Sequence, residues 1–99
     1  MTQDLFRHLR THTKEMNSLD ARQQLLVILM EECGELIEAC SKTVRCEKYE
    51  DDEKMIEEVG DVLVMIDLMI KRGLVKKEDL EARKAVKIEK LKKWSNLIR

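Results

Sequence analysis

Proline is absent from the chain, glycine occurs three times, and the aromatic residues number three, Phe6, Tyr49 and Trp94. Without proline nothing interrupts a helix at a fixed φ, and so few aromatics weaken any case for a β-sandwich or barrel. No apolar run approaches the roughly 20 residues that a membrane-spanning helix needs. Met1 to Arg10 lacks the continuous apolar stretch of a secretory leader. The three cysteines, Cys33, Cys40 and Cys46, are odd in number and show no C-x-x-C spacing. They read as reduced thiols that pack in a cytoplasmic protein. Base-stacking aromatics and an excess of positive charge are both lacking, which argues against a nucleic-acid binder.

What remains is a helix-forming composition, rich in Leu, Ile, Val, Met, Glu and Lys, with 39% charged residues. Ninety-nine residues make one domain, 1–99, whose core is thin unless a second subunit adds to it. The net charge of −1 conceals a division along the chain. Residues 1–70 carry 16 acidic and 8 basic side chains, and residues 71–99 carry 11 basic and 4 acidic ones. An acidic body with a basic C-terminal helix suits a site for a metal and then a polyphosphate. The simpler alternative is a solvated basic helix that pairs with acidic surface.

Hydrophobic spacing predicts four helices. The first spans about Gln3 to Lys14, with Leu5, Phe6 and Leu9 on one side. The polar pair Asn17-Ser18 is placed to cap a long second helix, Leu19 to Val44, with Leu25, Leu29, Leu36 and Ala39 along its apolar stripe. Arg45 to Asp52 reads as a turn. A third helix, Glu53 to Arg72, ends at Gly73 in the position after the cap, and a fourth runs from Lys76 to Leu97. Short connections make neighbours antiparallel. From Val62 to Ile70 only Asp67 is polar, so the third helix is apolar all round and requires burial on every side. Four short helices cannot supply that alone. The expectation is an all-α, antiparallel four-helix bundle-like domain completed by oligomerisation, as a homodimer or homotetramer.

Two segments repeat a pattern. Residues 31–37 read Glu-Glu-Cys-Gly-Glu-Leu-Ile and residues 57–63 read Glu-Glu-Val-Gly-Asp-Val-Leu. In each copy two carboxylates stand three residues apart, Glu32 with Glu35 and Glu58 with Asp61, on one face and one turn apart. Each pair brackets a glycine, Gly34 or Gly60, which costs a helix about 1 kcal/mol relative to alanine. Close backbone approach that leaves room for a ligand is one reason to place it there. Glu32 falls inside the apolar stripe, and Glu58 and Asp61 share a face with Met65 and Leu68. Burying unpaired carboxylates costs several kcal/mol each, and converging acids repel. A divalent cation removes both penalties. Donors that are all oxygen favour Mg²⁺, with Mn²⁺ as a substitute, over zinc, and the E-x-x-H motif of di-iron bundles has no counterpart. His8 and His12, at i and i+4, read as surface residues. Single i, i+3 acid pairs arise by chance; two copies with the same flanks on consecutive helices are harder to obtain that way.

These residues resemble the all-α nucleoside triphosphate pyrophosphohydrolases of the MazG type, a family that includes dimeric dUTPases and dCTPases. The family pattern E-E-x-x-E followed by E-x-x-D is matched by Glu31-Glu32-Cys33-Gly34-Glu35 and, 22 residues later, Glu58-Val59-Gly60-Asp61. The resemblance implies Mg²⁺-dependent cleavage of an NTP or dNTP to the monophosphate and pyrophosphate. It makes Glu32, Glu35, Glu58 and Asp61 the metal ligands, with Glu31 either orienting or deprotonating the attacking water or standing in the outer shell. Lys87 and Lys90, with Lys93 on the same face, would meet the phosphates. Relatives often carry Asn where this sequence has Leu91. Trp94 stacks on a base or, more simply, packs in a core or interface. Two other readings stand beside this one. One is a non-catalytic oligomeric helical module, regulatory or scaffolding; the other is a phosphohydrolase of an alarmone or modified nucleotide.

Overall fold

The structure, a computed structural model, describes residues 18–46 and 52–98. Among these the chain is all-α, with three helices and no strand: α1 (Ala21–Cys46), α2 (Asp52–Lys71) and α3 (Lys77–Trp94). The expected first helix and both histidines lie outside the described residues.

The start of α1 is set by Asp20, two residues after the expected cap at Ser18. Asp20 Oδ1 accepts a hydrogen bond from the Gln23 backbone N–H at 2.8 Å, and Gln23 Oε1 accepts one from the Asp20 N–H at 3.0 Å. This reciprocal pair is a capping box, and it satisfies two of the amide groups that a helix start leaves open. At its other end α1 runs to Cys46, two residues into the expected turn.

The ends of α2 and α3 also have local causes. After α2 the chain turns at Gly73, whose φ of +78° is favoured only for glycine. The Gly73 N–H donates to Ile70 O at 3.0 Å and the Leu74 N–H to Met69 O at 2.9 Å. Together these bonds form a Schellman closure. Helix α3 has Glu78 and Asp79 in its first turn and Lys92 and Lys93 in its last, matching the helix dipole at both ends. It ends at Trp94, three residues before the expected end, and at the capping Ser95 both the backbone N–H and Oγ donate to Leu91 O.

The chain divides into two compact units, Met1–Leu68 and Met69–Arg99. In the first, α1 and α2 form an antiparallel hairpin: Glu58 stands opposite Glu32, and Lys54, one turn earlier on α2, feels the charge of Glu35, one turn later on α1. Its buried apolar residues are Leu25, Ala39 and Met65, and its buried acids are Glu31, Glu32 and Glu58. In the second unit no residue of α3 is buried. Trp94 is 76% exposed, so it does not pack in a core of this chain, and its exposure leaves it free for an interface or a base.

Each helix of the hairpin also carries exposed aliphatic residues. Met30, Ile37 and Val44 recur every seven residues on α1, and Ile56, Val59 and Leu63 follow at spacings of three and four on α2; all are 40–80% exposed. At about 100° per residue, each stripe lies about 140° from the buried residues of its helix.

Candidate metal centre

Carboxylate oxygens of Glu32, Glu58 and Asp61 all lie within 4.8 Å of one another. One comes from α1 and two, a turn apart, from α2, so helix periodicity sets the Glu58–Asp61 pair and the hairpin register supplies Glu32. Glu32 is 7% exposed and Glu58 3%, whereas Asp61 is exposed. The cluster therefore has a buried floor and an open rim. Glu35, one turn beyond Glu32, is half-buried and lies outside this mutually close trio. Its charge acts on Lys54, though less than that of Glu58.

Glu31 is the deepest of the acids, at 2% exposure. By helix geometry it lies roughly 110° from the centre of the α1 stripe, so periodicity alone does not foretell its burial. Helix α1 is covered over a wider arc than its apolar stripe marks out.

A Cβ built on Gly34 or Gly60 would meet nothing within 4 Å, so among the described residues neither glycine marks a close approach of another segment. Each stands two residues on from Glu32 or Glu58, about 160° round its helix, and points away from the carboxylates.

One side chain of the site went unnoticed in the sequence. Lys54 Nζ donates to Glu58 Oε1 at 2.7 Å. The hydrogen bond and the charge of Glu58 hold the Lys54 ammonium above its ordinary pKa, with smaller contributions from Glu57 and Glu35. Its signal was present as K-x-x-x-E, the spacing that brings two helical side chains together. Lys87 and Lys90 lie on α3 in the second unit, Lys87 exposed and Lys90 half-buried.

The donor set fits a hard divalent cation. Every group in the trio is a carboxylate, and no histidine or thiol joins them among the described residues. Glu58 Oε2 is buried without a hydrogen-bond partner, which leaves an anionic oxygen in need of one. Lys54 balances part of the charge of these three acids, and a bound divalent cation would balance more of it.

No curated protein and no solved structure matches the chain. The family model of the MazG nucleotide pyrophosphohydrolase domain matches residues 20–94, a span that takes in α1, α2 and α3 and every carboxylate of the cluster. By that match, the chain belongs to the MazG nucleotide pyrophosphohydrolase family.

Proposed function

We propose that this chain, as a single domain, hydrolyses a nucleoside triphosphate, ribo- or deoxyribo-, to the monophosphate and pyrophosphate. The observation that carries the reading is the convergence of Glu32, Glu58 and Asp61 within 4.8 Å in a chain of this family. Those three, joined by Glu35, would hold Mg²⁺, with Mn²⁺ as an alternative. A bound Mg²⁺ supplies charge neutralisation on the triphosphate and a positioned water. The residues do the rest. Glu32 and Glu58 form a rigid floor that holds its geometry because both are buried. Asp61, exposed at the rim, faces the side from which a phosphate arrives. Glu31 orients the attacking water or accepts its proton, or else braces the ligands from the outer shell. Lys87 and Lys90 offer positive charge to the phosphates.

The exposed aliphatic residues Met30, Ile37 and Val44 of α1 and Ile56, Val59 and Leu63 of α2 support self-association as a homodimer or homotetramer. Two hairpins meeting by such faces make a four-helix arrangement. Among the described residues no helix is long and apolar enough to cross a membrane, and Cys33 and Cys40 are free thiols. Both facts agree with a cytoplasmic setting.

The test is pyrophosphate release from a panel of NTPs and dNTPs, with and without Mg²⁺, for the wild type and Glu35→Gln. Metal-dependent release that vanishes in the variant supports the reading and ranks the bases. No turnover across the panel would turn the reading to a non-catalytic helical module.

A further inference from the structure

Among four ion pairs between described residues, Lys54–Glu58 differs in kind from the other three. Lys42–Glu38, Lys84–Glu81 and Lys92–Glu89 join partners that are both more than two-fifths exposed. Such pairs contribute little. Lys54 is 48% exposed but its partner, the Glu58 side chain, is only 4% exposed, and the 2.7 Å contact is the shortest of the four. Helix stabilisation is a poor account of it, because lysine four residues before glutamate is the weaker order of the two. The bond also engages an acid of the carboxylate trio, and the same ammonium feels Glu57 and Glu35.

We propose that Lys54 is an intrinsic competitor of the metal: its ammonium and a divalent cation contend for Glu58, and the lysine must swing outward for the ion to bind tightly. This rests on the metal-centre reading above. The Glu58 carboxylate presents Oε1 to Lys54 and Oε2 to no protein donor. An ion on Oε2 would therefore stand a few ångströms from a positive charge held on the neighbouring oxygen. Repulsion at that range is substantial even at the dielectric of water. The long flexible stem and half-exposed position of Lys54 give it a route out. Metal affinity is thus set lower than the carboxylates alone would make it, and a bound polyanion that attracts the released ammonium would raise it.

The test is isothermal titration of metal-stripped protein with Mn²⁺ alone, using wild type, Lys54→Met and Lys54→Arg, with helix content checked by circular dichroism. Lys54→Met is expected to bind Mn²⁺ more tightly, on the order of tenfold, and Lys54→Arg to bind like wild type because it keeps the charge. Lys54→Met that binds Mn²⁺ no more tightly than wild type, while wild type does bind, overturns the competitor role and leaves the metal centre standing. Wild type that binds no Mn²⁺, or binds it equally well as Asp61→Asn, overturns the metal centre and this inference with it.

Discussion

Glu32 of α1 and Glu58 of α2, both more than nine-tenths buried, hold carboxylate oxygens within 4.8 Å of each other across the hairpin. Two negative charges at that distance repel by roughly 3 kcal/mol at an effective dielectric of about 20. Lys54 offsets part of this charge through its bond to Glu58, and a divalent cation between the two acids would relieve the rest.

The first prediction follows from that repulsion. Glu32→Gln removes one charge and keeps the shape, so in EDTA the variant should be more stable than wild type by about 1–3 kcal/mol in urea denaturation. Millimolar Mg²⁺ should raise the melting temperature of wild type by several degrees through preferential binding to the folded state. The variant should show little such rise and little pyrophosphate release. A variant less stable in EDTA would mean that Glu32 makes a protein contact worth more than the repulsion it relieves.

Self-association should depend on the exposed aliphatic residues of α1 and α2. Ile37→Glu and Leu63→Glu each place a charge among them, one on each helix. Sedimentation equilibrium is expected to show wild type as a dimer or tetramer and both variants shifted towards monomer. Equal masses for wild type and the two variants would remove these residues from the interface.

Asp20→Ala should weaken the start of α1. It deletes the acceptor for the Gln23 N–H and breaks the reciprocal bond, a loss of about 0.5–2 kcal/mol in chemical denaturation. Asp20→Asn, which can still accept, should recover most of it.

Gly73→Ala should cost about 1 kcal/mol, because a side chain at φ +78° meets its own backbone although nothing else lies within 4 Å. Gly34→Ala and Gly60→Ala sit in ordinary helical backbone with open space around them. Within the hairpin they should stabilise by up to about 1 kcal/mol each. If either instead destabilises in proportion to lost oligomer, measured at several protein concentrations, a second copy presses on that glycine.

Much of this protein was legible in its residues because the relevant physics is local. Helix periodicity and the absence of proline marked out α1, α2 and α3 to within a few residues, since a helix is made of bonds four residues apart. Gly73 announced the end of α2 through its own φ preference. The i, i+3 pairing of Glu58 with Asp61 is a property of one helix turn, and the repeated E-E-x-G-[ED] segments carried the family with them. Two local signals were passed over. Asp20-x-x-Gln23 is a capping box, and Lys54-x-x-x-Glu58 is a contact at helical spacing; both could have been read.

Tertiary structure decided what depends on how α1 meets α2. Register chose Glu32, rather than Glu35, as the α1 member of the close trio, because two residues on one helix face differ only in which turn of the partner they oppose. Packing buried Glu31 beyond the limit of its stripe and left Trp94 in solvent, since burial is a sum over neighbours that no single helix contains. Gly34 and Gly60 drew attention by their place in the motif, yet only coordinates could tell that nothing approaches them. Spacing along a chain specifies which side chains share a face; only the fold specifies what that face meets.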